Sequence, residues 1–463
     1  MVAVCFYFQV HQPFRLRRDF NFFSIGSDQP VEDHHRNREI CLKVSEKCYL
    51  PANELILRLI DKHKGAFRVS YSISGVALEQ FERYAPHVLE SFQRLGRTGC
   101  VEWIGETYYH SLAFLFSVPE FKRQVQLHQR KIRELFGVRT RAFRNTELIT
   151  NNALAKVVED LGFETILAEG ADRILHWRSP NYLYRPVGCE RLKMLLKNYR
   201  LSDDIAFRFS NQGWSEWPLT ADKFARWVHQ VPGNGYCVNL FMDYETFGEH
   251  QWESTGIFRF LENLPGQVLS HPDVSFHTPS EIAQTYPVSG TIDMPDYVSW
   301  ADTERDTSAW LGNPLQDSSA ETVYGLERDV LASKDEELIA LWRRLQTSDH
   351  FYYMCIKWFQ DGDVHKYFSP YQSPYDAFLF YSNALHQLRY LVGRKKRASK
   401  EQGIPKLKEK DATPNRESHP VAMTGKKGAT ASVTSQSAES KVKRAKPAAK
   451  KQRSSPAERA RTA

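Results

Sequence analysis

Short runs of β-branched and aromatic residues recur through the first 285 residues, and longer amphipathic segments separate them. Continuous apolar runs of this length are typical of strands that are buried on both faces, whereas the segments at 53–63 and 125–136 have the spacing of surface helices. Strands that alternate with helices predict a parallel sheet covered by helices. The predicted strands fall at residues 2–10, 66–74, 100–105, 141–146, 164–169, 192–198, 236–243 and 274–278.

The number of these units favours a closed α/β arrangement. Seven or eight strand–helix units in about 285 residues fit a β/α barrel better than an open doubly wound sheet. No glycine-rich phosphate loop follows the first strand, which further disfavours a dinucleotide-binding fold. We therefore predict that residues 1–285 form a catalytic β/α barrel.

The pattern changes after residue 285, where strand-like runs stop. Residues 319–347 and 373–393 carry helical periodicity, which predicts a helical domain over 286–393 that closes the cleft of the barrel. From residue 394 the sequence is rich in Lys, Ala, Ser, Pro and Thr and almost lacks aromatic residues. Such a composition cannot bury enough apolar surface to fold, so residues 394–463 are predicted to be a disordered basic tail.

Charge is divided unevenly between this tail and the rest of the chain. The tail carries 20 Lys and Arg against 6 Asp and Glu, a net charge of +14, whereas the whole chain has a formal charge of +7. The first 393 residues therefore carry −7, and the basic pI of the whole chain is no argument for a nucleic-acid-binding fold. We interpret the tail first as a solvated extension. Binding of nucleic acid or another polyanion is an alternative that concerns the tail only.

Cysteine usage and the N-terminus predict a cytoplasmic protein without a membrane partner. The seven cysteines are scattered and form no CxxC pair, a pattern typical of reduced thiols. The first apolar run, at residues 2–10, has no basic segment before it and is too short to span a bilayer.

Acidic residues and histidines gather where the predicted strands end. In a β/α barrel the carboxyl ends of the strands meet at one face, and the chemistry of such barrels takes place there. A single acid after a strand is commonly a helix cap, but five strand ends with such residues indicate an active site. Two carboxylates in one cleft suit the cleavage of a glycosidic bond. The residues at these strand ends are His11, Glu102, Glu106, His110, Glu147, Glu169 and Asp243.

Aromatic residues outside the core patterns point to a sugar substrate, because the apolar face of a pyranose ring stacks on aromatic rings. For each of them, packing at the junction between the barrel and the helices is an equally good interpretation. The residues are Trp103, Tyr108, Trp177, Trp214, Trp217, Trp300 and Trp310.

A catalytic metal is not expected. Barrels of this type can hold zinc through a His-x-Asp sequence on the first strand, but the position here reads His11-Gln12-Pro13. No HExxH motif or cysteine cluster replaces the missing ligand. The sequence therefore predicts neither a metal nor another cofactor.

Five short motifs follow one another along the chain. They are HQP at 11–13, GCVEWIGETYYH at 99–110, FRNTEL at 143–148, MDYETFGEH at 242–250 and TPSE at 278–281. In this order they resemble the five motifs of glycoside hydrolase family 57, and in particular its shorter α-amylase-type members. The segments 299–313 and 345–354 are also similar to segments of that family, so the resemblance covers roughly residues 2–390.

This resemblance implies an incomplete (β/α)7 barrel followed by the helical domain, and a retaining mechanism on α-1,4-glucans or maltooligosaccharides. It implies that Glu147 is the nucleophile and Asp243 the general acid/base, while Glu245 and Glu249 are expected to anchor the loop. Together with the aromatic residues above, it gives a predicted set of substrate-binding residues. The set is His11, Glu102, Trp103, His110, Trp177, Glu281, Trp300, Trp310 and Asp349.

Two alternatives to an α-amylase-type hydrolase stay open. The family also contains 4-α-glucanotransferases and branching enzymes, which form the same glycosyl-enzyme but resolve it with a glucan hydroxyl instead of water. A catalytically idle glucan-binding protein is the other alternative, and the presence of both Glu147 and Asp243 argues against it.

Overall fold

The computed structural model describes residues 1–357 and 364–403. Its last helix continues to Gly403, past residue 393, where the sequence predicted that the tail begins. This extension is rich in Lys and Arg, which favour helix. Lys395 and Lys396 also pair with acidic residues of neighbouring helices, Asp335 and Asp329, at 2.8 and 2.6 Å. The predicted disorder of residues 404–463 lies outside the described residues.

The described residues form ten strands in two five-stranded sheets. The strands are β1 Val2–Val10, β2 Val69–Ile73, β3 Val101–Trp103, β4 Ala142–Arg144, β5 Thr165–Glu169, β6 Leu183–Pro186, β7 Lys193–Lys197, β8 Cys237–Asp243, β9 Val274–Phe276 and β10 Thr291–Ile292. In the first sheet β1 pairs in parallel with β8, β2 and β9, and β3 lies beside β2. In the second sheet β5 lies between its parallel neighbours β4 and β7.

Two short contacts join the sheets. Gly105, just after β3, forms a parallel bridge with Phe143 of β4. At the other edge, the amide of Asn198 donates to the carbonyl of Asn239 in β8 at 2.9 Å. Side chains from both sheets meet in one interior, namely Ala3, Cys5, Tyr7, Ala142, Leu167, Leu183, Leu195, Cys237 and Phe241. The fold is therefore an α/β fold in which parallel strands surround a shared core.

All eight predicted strands are present, and the sequence missed β6 and β10. Strand β10 is the edge of the second sheet and pairs with β6, which lies between β10 and β7 and runs antiparallel to β7. Pro186 at the end of β6 has no amide hydrogen to donate, which a strand tolerates at its end. Strand β10, only two residues long, corrects the prediction that no strand follows residue 285.

Helices cover the outer side of the sheets. Along β1, Val4, Phe6 and Phe8 face the helices while the residues between them face the interior, which explains why every residue of the strand except Gln9 is apolar. The helices are α1 His34–Val44, α2 Leu50–Lys62, α3 Gly75–Tyr84, α4 Pro86–Arg97, α5 Ala113–Phe116, α6 Val118–Phe136, α7 Asn152–Asp160, α8 Asp172–Leu175, α9 Tyr199–Ala206, α10 Ala221–Val228, α11 Ile257–Val268, α12 Pro279–Thr285, α13 Pro314–Gly325, α14 Glu327–Ala332, α15 Glu336–Arg344, α16 Ser348–Tyr352, α17 Val364–Phe368 and α18 Pro374–Gly403.

The helices after residue 313 pack on the second sheet. Trp342 of α15 and Tyr381 of α18 belong to the same buried cluster as Phe143 of β4 and Ile166 of β5. This packing brings α16 to the carboxyl ends of the strands. Within residues 1–357 and 364–403, no helix is both long and apolar enough to cross a bilayer. All seven cysteines lie in these ranges, and each is buried with a free thiol.

Candidate active site

A cavity of about 900 Å³ opens at the carboxyl ends of the strands. The end of β8, the turn after β4, the segment 300–305 and helix α16 all contribute to its wall. Glu147 and Asp243, the two predicted catalytic acids, both line it. A cavity of this size is at the upper end for small-molecule sites and suits an oligosaccharide.

Glu147 lies in a tight 3-10 turn, Thr146–Leu148, directly after β4. Glu147 and Leu148 have φ angles of 58° and 52°, left-handed values that cost a residue other than glycine about 1–3 kcal/mol. Surrounding contacts hold this conformation, among them a hydrogen bond from the amide of Trp300 to the Glu147 carbonyl at 3.3 Å. The turn brings the Glu147 carboxylate into the cavity instead of continuing the strand.

Three donors surround the carboxylate of Glu147. The indole N–H of Trp300 donates to Oε2 at 2.8 Å, the hydroxyl of Ser348 donates to Oε1 at 3.0 Å, and Nε2 of His110 lies 3.4 Å from Oε1. Burial by itself raises the pKa of Glu147. The hydrogen bond from His110 and the charges of His110 and Arg144 outweigh burial and hold the pKa below its ordinary value. Glu147 is therefore ionised and held in one orientation.

Asp243 is the last residue of β8 and lies beside Gln9 of β1 in the parallel register. The surroundings of Asp243 shift its pKa upwards, opposite to the shift of Glu147. Burial, followed by the negative charge of Glu147, raises the pKa of Asp243 to about 6, although Arg144 opposes the shift. Over a range of mildly acidic pH, one acid of the cavity is thus ionised while the other keeps its proton. The cavity therefore holds an ionised and a protonated carboxyl group at the same time.

His11 and Asp349 form a second hydrogen-bonded pair in the cavity wall. Nε2 of His11 donates to Asp349 Oδ2 at 2.9 Å, and Nδ1 lies 2.7 Å from the hydroxyl of Ser74. A neutral ring with its proton on Nε2 satisfies both partners, because the carboxylate only accepts and the hydroxyl can donate. Burial, followed by the charge of His110, lowers the pKa of His11, which agrees with this form.

Trp300 and Trp310 also line the cavity, as does His110. Trp300 also orients Glu147 through its N–H. Cations also lie over the Trp300 ring: the guanidinium carbon of Arg144 and Nζ of Lys197 are 5.3 and 5.5 Å from its centroid. Trp310 is almost fully buried.

The acids Glu102 and Glu281, predicted to bind substrate, do not line the cavity. Glu102 accepts hydrogen bonds from the amide and the hydroxyl of Ser280, the amide at 2.9 Å. Glu281 pairs with Arg68 at 2.8 Å and caps helix α12 through the amide of Thr278. These contacts tie β3 and β2 to α12, so the structure corrects both predictions. In both motifs the acid joins a strand to helix α12 through hydrogen bonds or an ion pair.

The structure also corrects the prediction for Trp103, whereas that for Trp177 stays a prediction. Trp103 is buried in the core outside β3 and stacks on Phe136 with ring centroids 3.9 Å apart. It faces the helices because side chains alternate along a strand. Trp177 is 87% exposed and lies outside the cavity, with Arg178 over its ring at 5.2 Å.

The loop after β8 contributes a further buried acid. Glu245 accepts hydrogen bonds from Tyr49 and from Gln12, the latter at 3.4 Å. Burial, followed by the charge of Asp243, raises the pKa of Glu245 to about 8. These bonds fit the expected anchoring role, yet Glu245 also lines the cavity. Glu249 pairs with Lys43 at 2.5 Å and does not line the cavity.

Sequence reasoning missed the residues at the margin of the cavity. Phe207, after α9, and Phe368, at the end of α17, line it and are 58% and 36% exposed. Lys197 and Arg305 line another part of the wall and pair with Asp203 at 3.0 and 3.7 Å. Lys197 ends β7 and Phe368 ends α17, whereas Phe207 and Arg305 lie in loops, and no local sequence pattern marks any of the four as part of a site. Across residues 1–357 and 364–403, no group of three or more His, Cys, Asp or Glu side chains is arranged to hold a metal ion.

The fold and the cavity define the class of protein: an α/β enzyme fold with a pair of carboxyl groups at its strand ends. The sequence model of "Glycosyl hydrolase family 57" matches residues 5–295. A protein of Methanocaldococcus jannaschii called "Putative alpha-amylase" is 44% identical over 403 residues, which are 84% of this chain and 85% of that one. The chain belongs to glycoside hydrolase family 57.

Solved structures share the fold at low sequence identity. A family 57 branching enzyme from Thermococcus kodakaraensis superposes with a TM-score of 0.60 at 14% identity, covering 87% of this chain and 94% of that one. The α-amylase AmyC from Thermotoga maritima gives 0.56 at 15% identity, with 85% and 94% covered. The 4-α-glucanotransferase from Thermococcus litoralis gives 0.58 at 15% identity, with 76% of this chain and 56% of that one covered.

Proposed function

We propose that this protein cleaves α-1,4-glucans with retention of configuration, with Glu147 as the nucleophile and Asp243 as the general acid/base. The observation that carries the proposal is the contrast between these two acids in one cavity. The surroundings of Glu147 lower its pKa and keep it ionised, whereas those of Asp243 raise its pKa to about 6, so that it keeps its proton below that pH. A double displacement needs both forms at the same time.

In the first step, Glu147 attacks the anomeric carbon and Asp243 donates its proton to the leaving glycosidic oxygen. The bond to the leaving sugar breaks, and a glycosyl ester of Glu147 forms. In the second step, the Asp243 carboxylate takes a proton from water, which attacks the anomeric carbon and releases Glu147. We expect His11 and Asp349 to contact the sugar, because both line the cavity, whereas the buried Trp310 supports the wall of the cavity.

The choice of an α-glucan rests on the family and on the name of the Methanocaldococcus jannaschii relative. The geometry supports a barrel as the scaffold: β1, β2, β3, β4, β5, β7 and β8 follow one another around the interior core. We propose that they form an incomplete seven-stranded barrel, and that the helices after residue 286 form the domain that closes its cleft.

Incubation of the full-length protein with amylose tests the proposal. New reducing ends are expected, with α-maltooligosaccharides as the products. Chains of redistributed length without a matching gain in reducing ends would identify a glucanotransferase or branching enzyme. Binding without turnover would identify a glucan-binding protein and would contradict the proposal.

The activity is expected to peak in mildly acidic solution. Glu147 must be ionised, so kcat/KM rises with pH through its lowered pKa. Asp243 must be protonated, so kcat/KM falls as pH rises through about 6. The measurement is kcat/KM on maltooligosaccharides between about pH 3 and about pH 9. A profile that stays flat from pH 5 to beyond about pH 8 would exclude Asp243 as the acid.

Phe207 and Phe368 are expected to bind the outer sugars of long substrates. Replacement of either by Ala should raise KM for amylose roughly five- to tenfold, because stacking on an aromatic ring contributes about 1 kcal/mol. The KM for a short maltooligosaccharide and kcat should change less than about twofold. Phe23→Ala is the matched control, since Phe23 is 94% exposed and does not line the cavity. Equal changes on short and long substrates would contradict this role.

A further inference from the structure

Glu106 is a fully buried carboxylate that the proposed reaction does not use directly. It follows the junction of β3 and β4, where the amide of Gly105 donates to Ala142 and the amide of Arg144 donates to Gly105, both at 2.9 Å. The amide of Glu106 itself donates to Nδ1 of His128 at 3.3 Å. The backbone of Glu106 is thus fixed on both sides.

One histidine joins this acid to Glu147. Nδ1 of His110 lies 2.9 Å from Glu106 Oε2, and Nε2 lies 3.4 Å from Glu147 Oε1. Ionised carboxylates only accept hydrogen bonds, so both ring nitrogens must donate and the ring must be an imidazolium. A neutral ring would place a lone pair against one carboxylate in a buried site, where the repulsion is costly.

We propose that Glu106 is a positioning residue for the nucleophile, which keeps His110 protonated and through it holds Glu147 ionised and oriented. The proposal deepens the proposed function and rests on Glu147 as the nucleophile. Its physical basis is that a buried cation needs a counter-ion inside the protein. Glu147 cannot serve alone, because its charge is lost whenever it forms the glycosyl ester. Glu106 keeps its charge throughout.

The contacts around His110 agree with this assignment. Burial lowers the pKa of His110, but the hydrogen bonds and charges of Glu106 and Glu147 outweigh it and raise the pKa to about 9. Burial also raises the pKa of Glu106, and the His110 bond together with the charges of His110 and Arg144 outweighs it and lowers the pKa to about 2. Arg144 approaches Glu106 at 3.8 Å. Arg144 also lies 3.5 Å from Nδ1 of His110, where its positive charge repels a protonated His110 ring.

The other ionisable neighbours of His110 are Asp243, whose raised pKa the charge of His110 opposes, and the pair of His11 and Asp349. The rings of His11 and His110 stack with centroids 3.9 Å apart, and Asp349 holds the far side of His11. His11 stays neutral in this pair, so His110 carries the charge. Ser348 connects the same parts, since its amide donates to the His110 carbonyl at 2.9 Å and its hydroxyl donates to Glu147.

Nitrogen-15 NMR of the full-length enzyme, labelled at histidine, tests the first link without any assay of activity. The His110 signal is assigned by its loss in His110→Gln. Both ring nitrogens should be protonated at about pH 7.5 in the wild type. In Glu106→Gln the titration midpoint of His110 should fall by at least about one pH unit. A neutral His110 in the wild type at this pH would overturn the proposal, even if the variant did not fold.

The pH profile of activity tests the second link. In Glu106→Gln the acidic limb of kcat/KM should move up by about one pH unit, so that activity falls roughly tenfold on the acidic side and much less near pH 6. A merely structural role would lower the activity equally at every pH. Glu120→Gln is the matched control. Glu120 of α6 is also fully buried, but it pairs with Arg343 of α15 at 2.7 Å and not with His110. This variant should lower the melting temperature without moving the limb.

The outcomes separate this proposal from the proposed function. A folded Glu106→Gln enzyme with an unmoved acidic limb overturns the positioning role, while loss of activity in Glu147→Gln still supports the nucleophile. If Glu147→Gln keeps its activity, the proposed function fails, and the positioning role fails with it, whatever the NMR shows for His110.

Discussion

Glu147→Gln is expected to lower kcat on amylose by roughly 10⁴-fold or more, which corresponds to about 5 kcal/mol of transition-state stabilisation. The amide keeps the size and shape of the side chain but cannot form the glycosyl ester. It can still accept a hydrogen bond from Trp300 or Ser348, so the fold and glucan binding should be largely kept. The measurements are kcat on amylose, the melting temperature and the affinity for maltooligosaccharides.

Chemical rescue identifies the role of Glu147 directly. When Glu147 is shortened to Ala or Gly, azide can occupy the space of the carboxylate and attack an activated α-glucoside. The expected product is the β-glucosyl azide, with inverted configuration. A Glu147→Gln rate within about tenfold of the wild type, or the absence of this product in the folded Ala and Gly variants, would remove Glu147 from the role.

Asp243→Asn is expected to lower kcat/KM on natural glucans by roughly 10²- to 10⁴-fold, because the leaving oxygen no longer receives a proton. An α-glucoside whose leaving group departs without protonation should lose far less in the first step. The second step still lacks its base, so the glycosyl-enzyme should accumulate and give a burst of the first product. The alkaline limb near pH 6 should also disappear from the profile, since it belongs to Asp243.

The same loop offers a matched control for this variant. Glu249→Gln changes an acid six residues later to its amide, but Glu249 pairs with Lys43 outside the cavity. Its activity should stay close to that of the wild type at every pH. Equal losses of Asp243→Asn on natural and activated substrates would count against Asp243, and would direct attention to Glu245, whose pKa is also raised.

The pattern of apolar residues along the chain made much of the fold predictable. A strand buried on both faces is apolar along most of its length, and β1, β5 and β8 show this in their sequences. Helices of this fold show one apolar stripe, as in the predicted segment that became α2. The sequence pattern missed strands β6 and β10 because they are only four and two residues long, too short to show a clear apolar run. The end of α18 was misplaced because charged residues that form helix also occur in disordered tails.

By itself, the sequence determined the parallel α/β order of the strands and the placement of Glu147 and Asp243 at strand ends, because both follow from local pattern. Only the tertiary structure decided which side chains meet. The register of β3 turned Trp103 towards the helices and Glu102 towards α12, and left neither in the cavity. The tertiary structure also shifts the pKa values of the two acids in opposite directions: His110 lowers that of Glu147, and burial raises that of Asp243. Such shifts depend on distances of a few ångströms between residues far apart in the chain, and no local pattern encodes them.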